Sequence, residues 1–297
     1  LGDDLKAVDQ HISLALKHYA SAIEQHFGAD VLGYMGPIHS SAISTYLEVL
    51  EQLKADPKPA PHRQDKLVIV LTTPGGVVES AEKMVEISRH HYEEVDFVVP
   101  DYAMSAGTVW CMSGDRIWMD YASSLGPIDP QLQRQNNQLV PALGYIDKVN
   151  EFIKKSQASP SQLSPAEVLL LRGLDLAELR RFEQARDLSV TLLKQWLVAY
   201  KFKNWAQHRT TNPGSPVTQV EKEQRAEEIA KLLSDNNRWH SHGRMLSMAT
   251  VRSVLRLDIE DYSGIANLRN SLRIYTTMLA EYIERQSAPI FIHTSRI

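Results

Sequence analysis

Apolar residues recur at helical spacing from the start of the chain. Leu5, Val8, Ile12, Leu16, Tyr19 and Ile23 form one stripe and predict an amphipathic helix over 4–27. "ADVLGYMG" then reads as a short strand that ends at Gly36-Pro37, and "HSSAISTYLEVLEQLKA" as a helix. A proline-rich polar loop, "DPKPAPHRQD", separates it from "KLVIVLTT". That continuous run from Lys66 to Thr73 marks a strand buried on both faces. "PGG" breaks it, and "VVESAEKMVEISRHH" resumes as a helix. "VDFVVP", "SAGTVWCMSG" and "DRIWMD" continue as strand, helix and strand. This order predicts an α/β core built on a parallel sheet.

The second half is helical in pattern. Ser164-Pro165-Ala166-Glu167 is a helix start, and the chain from there to Tyr200 reads largely as helix. "QHRTTNPGSPVT" is a loop without phosphate-loop spacing. "EKEQRAEEIAKLLSD" is a charged helix with a solvated face, and "SGIANLRNSLRIYTTMLAEYIERQ" a long last helix. No repeat or low-complexity tract interrupts the chain.

Composition narrows the function classes. Of 297 residues, 43% are hydrophobic and 23% charged, the balance of a soluble globular protein with a sizeable core. The net charge of −4 supplies no basic field for nucleic acid or anionic lipid. Cys111 is the only cysteine, so no internal disulfide and no cysteine zinc site can form. A reducing, cytoplasmic setting fits. No apolar run approaches the roughly 20 residues of a membrane span, and "LGDDLKAVDQ" does not read as a signal peptide.

The chemistry gathers at two strand ends. Thr72-Thr73-Pro74-Gly75-Gly76-Val77 closes one strand, and Ser105-Ala106-Gly107 follows the next. In a parallel sheet, one strand–helix–strand unit places such turns side by side, where ligands bind. Gly75 and Gly76 let a ligand approach backbone N–H groups, which suit a developing oxyanion. A serine at the neighbouring helix start can attack a carbonyl whose oxygen lies among those amides. Each motif alone reads as a helix cap or a turn. Together they favour a site.

The segments "GYMGPI", "LVIVLTTPGGVVESAEKM" and "VDFVVPDYAMSAGTVWCMSGDRIWM" resemble the core of the Clp-protease/crotonase superfamily, from about Val31 to Pro130. The pattern is most similar to the signal peptide peptidase A-like and serine dehydrogenase proteinase branch. The resemblance implies a parallel sheet core of ββα-type repeated units with added C-terminal helices. It implies Ser105 as nucleophile, with Gly75, Gly76, Val77 and Ala106 forming the oxyanion and substrate-binding turn. "HGRMLSMATVRSVLRLDIED" is similar to a second segment of peptidase A, with Arg256 where that family has glycine. That match closes the catalytic domain near Tyr262. The expected organisation is an N-terminal helix over 1–30, a catalytic domain over 31–262 with a helical insertion at about 164–235, and a C-terminal helix over 263–297.

A serine needs a base. The Clp proteolytic subunit has a histidine about 25 residues after its serine; this chain has Asp129 near that place and no histidine between Ser105 and Lys148. Peptidase A-like families use a lysine, which acts as a base only when desolvated or placed among suitable charges. Lys148, 43 positions beyond Ser105 and flanked by Ile146 and Val149, matches that place; Lys154 and Lys155 are alternatives. A solvated helix lysine and an Asp-Pro turn are the plain readings of Lys148 and Asp129; the sharper reading of Asp129 is a catalytic charge that orients the lysine or binds substrate. His240 and His242 lack the further ligands of a zinc site.

The leading expectation is a Ser-Lys serine endopeptidase that hydrolyses peptides or unfolded proteins without metal or cofactor. The alternatives are a crotonase-type acyl-CoA enzyme, which would use the same amides without Ser105, and an inactive Clp-like scaffold. Superfamily members assemble as trimers or rings. The apolar face of Ile265, Leu268, Leu272, Ile274, Tyr275, Met278, Leu279 and Ile283 must pack on its own domain or on a neighbour, and the expectation is a neighbouring copy in a homo-oligomer.

Overall fold

A computed structural model of the chain describes residues 2–55, 58, 62–128, 131–133, 139–158, 163–173, 175–208 and 213–296. The first half alternates α1 (Gly2–Phe27), β1 (Ala29–Met35), α2 (Ile43–Ala55), β2 (Arg63–Thr72), α3 (Val78–His91), β3 (Glu94–Val99), β4 (Tyr102–Ala103), α4 (Ala106–Cys111), β5 (Arg116–Met119) and β6 (Ser124–Leu125). A hairpin follows, β7 (Gln131–Gln133) and β8 (Leu139–Pro141), and then α5 (Ala142–Ala158), α6 (Pro165–Arg172) and α7 (Leu176–Trp196). The chain continues as α8 (Gln219–Ser234), α9 (Asn236–Trp239), β9 (Leu246–Ser247), α10 (Met248–Ser253), β10 (Glu260–Asp261), α11 (Ala266–Gln286) and β11 (Phe291–His293).

The architecture is mixed α/β around a mostly parallel sheet. Its strand order is β10-β5-β3-β2-β1-β11, and β11 alone runs antiparallel, against β1. The register pairs Met35 with Thr72 and Val99 with Met119, so the carboxyl ends of the strands share one edge. A smaller ladder, β4-β6-β9, stands beyond that edge and carries the loop that contains Ser105.

Alternation along the strands gives each face its own core. Leu67, Ile69, Leu71, Val95, Phe97 and Val99 face α2, α3, α4 and α7, where Trp110 of α4 meets Tyr34, Tyr46 and Phe97 edge to face. Val68, Val70 and Val98 face the other way, toward α1 and α11. Burying these side chains supplies on the order of 1.5–3 kcal/mol each before conformational entropy is counted.

Three expectations need correction. The second strand begins at Arg63, inside the expected polar loop, because Arg63 pairs with Asp65 and Glu94 along the strand's exposed start. The helix after Ser105 ends at Cys111, and the following turn is closed by Met112, Ser113 and Gly114. The last helix is not an outlying appendage. Leu268, Leu272, Tyr275 and Leu279 are buried against α1 and the sheet of the same chain, and β11 returns to pair with β1. Its apolar face therefore supplies no argument for a neighbouring copy.

Candidate active site

The two loops predicted to meet are joined by backbone. Thr73 donates its N–H to Tyr102 O at 3.0 Å, and Met104 donates to Thr73 O at 3.0 Å. This short parallel bridge continues β2 sideways into the small ladder. Gly107 permits the approach, since a Cβ there would lie 2.4 Å from Thr73 Cγ2. On the other side, Ile38 donates to Gly75 O at 2.8 Å, and Val77 donates to Ile38 O at 2.9 Å. The Pro-Gly-Gly turn is thus held between the loops after β1 and β3.

Both glycines are required by geometry. Gly75 has φ 100° and Gly76 φ 148°. A Cβ on Gly75 would lie 2.7 Å from Met104 O and 2.9 Å from Ser105 Cβ; one on Gly76 would lie 2.1 Å from Ile38 O. The first of these contacts places the glycine turn directly against the serine turn.

Ser105 adopts φ 52° and ψ −117°. Gly107 donates its N–H to Met104 O at 2.8 Å, which closes a β-turn with Ser105 at its first central position. These angles belong to a type II′ turn, where glycine is the usual occupant. A side chain at that position stores strain of order 1–3 kcal/mol, and such strain concentrates at functional sites. The serine precedes α4 but makes no side-chain capping bond, so the plain role of a helix cap is not used. Its side chain is half-buried, and among the described residues its hydroxyl has no hydrogen-bond partner.

The amides divide into two groups. Val77 N–H is taken by Ile38 O, which corrects its expected place among the oxyanion donors. Gly75 N–H is taken by Thr73 Oγ1 at 3.1 Å. Among the described residues, Gly76 and Ala106 donate to no acceptor. Ala106 opens α4, where the first amides lack intrahelical partners and carry partial positive charge.

Tyr34 donates its hydroxyl to Pro37 O at 2.8 Å, and burial pushes its ionisation well above the usual phenol range. Cys111, in α4, is fully buried and its thiol is pushed up by desolvation, which makes it a packing residue rather than a nucleophile. Thr108, which the sequence reading passed over, contacts Ala103 O, Gly126 O and Gly126 N from the first turn of α4. A threonine in the turn after a candidate nucleophile was the available signal. Ile38, whose carbonyl occupies the Val77 amide, carried no local signal.

Lys148 is on α5 with its side chain 56% exposed. Its ammonium pairs with Glu151 at 2.8 Å and sits 5.3 Å from the centre of the Phe152 ring. Within one chain it is therefore a solvated helix lysine. Asp129 lies outside the described residues. Lys155 pairs with Glu151 and Glu167, and Lys154 is exposed. His240 is exposed in a left-handed turn, whereas His242 is buried before β9. No described helix is long and apolar enough to cross a membrane.

Residues 14–213 match the family model for ClpP-like SDH-type serine proteinases. Two uncharacterized proteins of Methanocaldococcus jannaschii are similar over 85 residues, MJ0137 at 39% identity and MJ1495 at 29%. Each match covers 29% of this chain, and the matched segments span 28% and 27% of those relatives. Among solved structures, two variants of the 1510-N membrane-bound stomatin-specific protease, one in complex with a substrate peptide, align with TM-scores of 0.45 and 14% identity. They cover 82% and 81% of this chain, and 83% and 77% of their own. The family match spans most of the chain and includes both glycine and serine turns: this protein belongs to the ClpP-like SDH-type serine proteinases.

Proposed function

We propose that the chain is a serine endopeptidase that cleaves peptides or unfolded proteins by acyl transfer through Ser105. The observation that carries this reading is the strained Ser105 turn, whose hydroxyl is spared from capping and whose Cβ abuts Gly75. In the proposed reaction Ser105 Oγ attacks the scissile carbonyl. The resulting oxyanion lies between the N–H groups of Gly76 and Ala106, fixed donors that need no reorganisation. A base takes the serine proton and returns it to the leaving amine; water then attacks the acyl-enzyme and restores Ser105. Side chains, amides and water complete every step without a cofactor.

We assign the base to Lys148. Its exposed pairing with Glu151 means that it must be desolvated to act. Docking of α5 against the serine turn of a second copy would supply that desolvation, so this assignment carries the proposal of a homo-oligomer.

Labelling with a fluorophosphonate probe tests the nucleophile. The expected result is covalent modification at Ser105, lost together with peptide hydrolysis in Ser105→Ala while the fold persists. A folded protein that hydrolyses a peptide panel and resists the probe at Ser105 would refute the assignment.

A further inference from the structure

The strained turn at Ser105 needs something to hold it, and the backbone supplies only part. Gly107 N–H closes it onto Met104 O, and Val109 N–H reaches Ser105 O at 3.1 Å. Both bonds lie within the turn and its helix. Neither ties the turn to the loop after β6, which passes the far side of Met104: a Cβ on Gly126 would meet Met104 Sδ at 2.9 Å.

Thr108 makes that tie. Its side chain is fully buried. Its Oγ1 lies 2.7 Å from Ala103 O and 2.9 Å from both Gly126 O and Gly126 N. A hydroxyl has one proton and two lone pairs. Oγ1 therefore accepts the Gly126 N–H and donates to one carbonyl, Ala103 O being the nearer. Tyr102 and Ala103 pair in parallel with Ser124 and Leu125, so this hydroxyl stands where the ladder would otherwise continue. It replaces a rung that the turn at Ser105 interrupts. The strand end at Ala103 is thereby pinned to the loop at Gly126 by a helix position five residues further on, with Ser105 enclosed between.

We propose that Thr108 is a positioning residue for acyl transfer at Ser105: its buried hydroxyl bridges Ala103 and Gly126 and thereby fixes the strained turn that presents Oγ. This rests on Ser105 being the nucleophile. The bridge touches no substrate. It acts by holding the 104–106 turn, hence both the attacking oxygen and the Ala106 amide, in one geometry. Loss of the hydroxyl lets the turn relax toward angles that suit a residue with a Cβ.

The test compares Thr108→Val, which keeps the shape and removes the hydroxyl, with Thr108→Ser, which keeps the hydroxyl and removes a methyl. The readouts are the rate of fluorophosphonate labelling at Ser105, kcat and KM on a cleaved peptide, and the melting temperature. A reacting group misplaced by about 1 Å loses on the order of 100-fold in rate. Thr108→Val is expected to lose that in labelling rate and kcat with KM unchanged. Thr108→Ser is expected to stay within threefold of the parent, although it too melts lower. A role in stability alone predicts that rate follows melting temperature in both variants, and that result overturns the proposal. Equal labelling of Thr108→Val and the parent also overturns it while leaving Ser105 as nucleophile. A folded parent that is not labelled at Ser105 removes the nucleophile and the positioning role together. If Thr108→Val does not fold, Thr108→Ala against Thr108→Ser makes the same comparison, since both lack the methyl and only one has the hydroxyl.

Discussion

Replacing Ser105 by alanine and by glycine separates the strain of the turn from the chemistry of the hydroxyl. Both variants lack the nucleophile, so neither is expected to hydrolyse peptide. They differ in conformation. Alanine keeps the Cβ and with it the penalty of holding φ 52° and ψ −117°, of order 1–3 kcal/mol. Glycine removes that penalty but loses more chain entropy on folding, about 0.5–1 kcal/mol relative to alanine. No side-chain hydrogen bond is given up in either case, because Ser105 makes none among the described residues. Taken at the midpoints of the two ranges, the balance leaves Ser105→Gly more stable than Ser105→Ala by roughly 1 kcal/mol. For a chain of this length that is a rise of about 1–3 °C in melting temperature. At a turn position with negative φ the order reverses, since glycine then brings only its entropy cost. Thermal melts and urea titrations of the two purified variants, with matched denaturant slopes, measure the difference. If Ser105→Ala melts at or above Ser105→Gly, the turn is not strained in solution, and the strongest structural mark of the proposed nucleophile is gone.

Three further outcomes follow from the same geometry. Gly76→Ala is expected to destabilise by more than about 2 kcal/mol, because its Cβ would enter the Ile38 carbonyl and break the Val77 bond to it; chemical denaturation reads this directly. Lys148→Met should abolish peptide hydrolysis with no measurable change in melting temperature, and the parent's activity per chain should rise with protein concentration; hydrolysis at parental rate by the variant rejects the base. Burial depresses His293 to about 4 from an ordinary 6.5, and among the described residues its Nε2 has no hydrogen-bond partner while Nδ1 lies 2.9 Å from Tyr275 Oη. The neutral ring is the folded form, so its contribution is complete above pH 6.5 and is lost as pH falls toward 4, by about 2 kcal/mol at pH 5. Stability measured across that window in the parent and in His293→Gln checks it, and an unchanged slope in the variant rejects it.

What the sequence disclosed depended on how local each determinant was. The strands over 66–72, 94–99 and 116–119 were legible because a run such as "LVIVL" has little alternative to burial on both faces. The meeting of Gly75 with Ser105 was legible for a topological reason: one crossover in a parallel sheet leaves adjacent strand ends on the same edge. Distinctions that depend on partners far along the chain were not. Whether Val77 or Gly76 offers a free amide is decided by Ile38, nearly forty residues before the former, through a carbonyl that any residue type would supply. The three residues Phe291–His293 are too short to show an alternation, yet β1 gives them a register and α11 a reason to turn back. The apolar face of α11 needs cover, but a helical stripe states only that it is buried, not by which chain. Leu16, Ala20 and Ile23 of α1 provide that cover. The case for assembly consequently moves from α11 to α5. There Lys148 stands in solvent beside Glu151, and the proposed homo-oligomer would supply the desolvation that this lysine needs to act as the base.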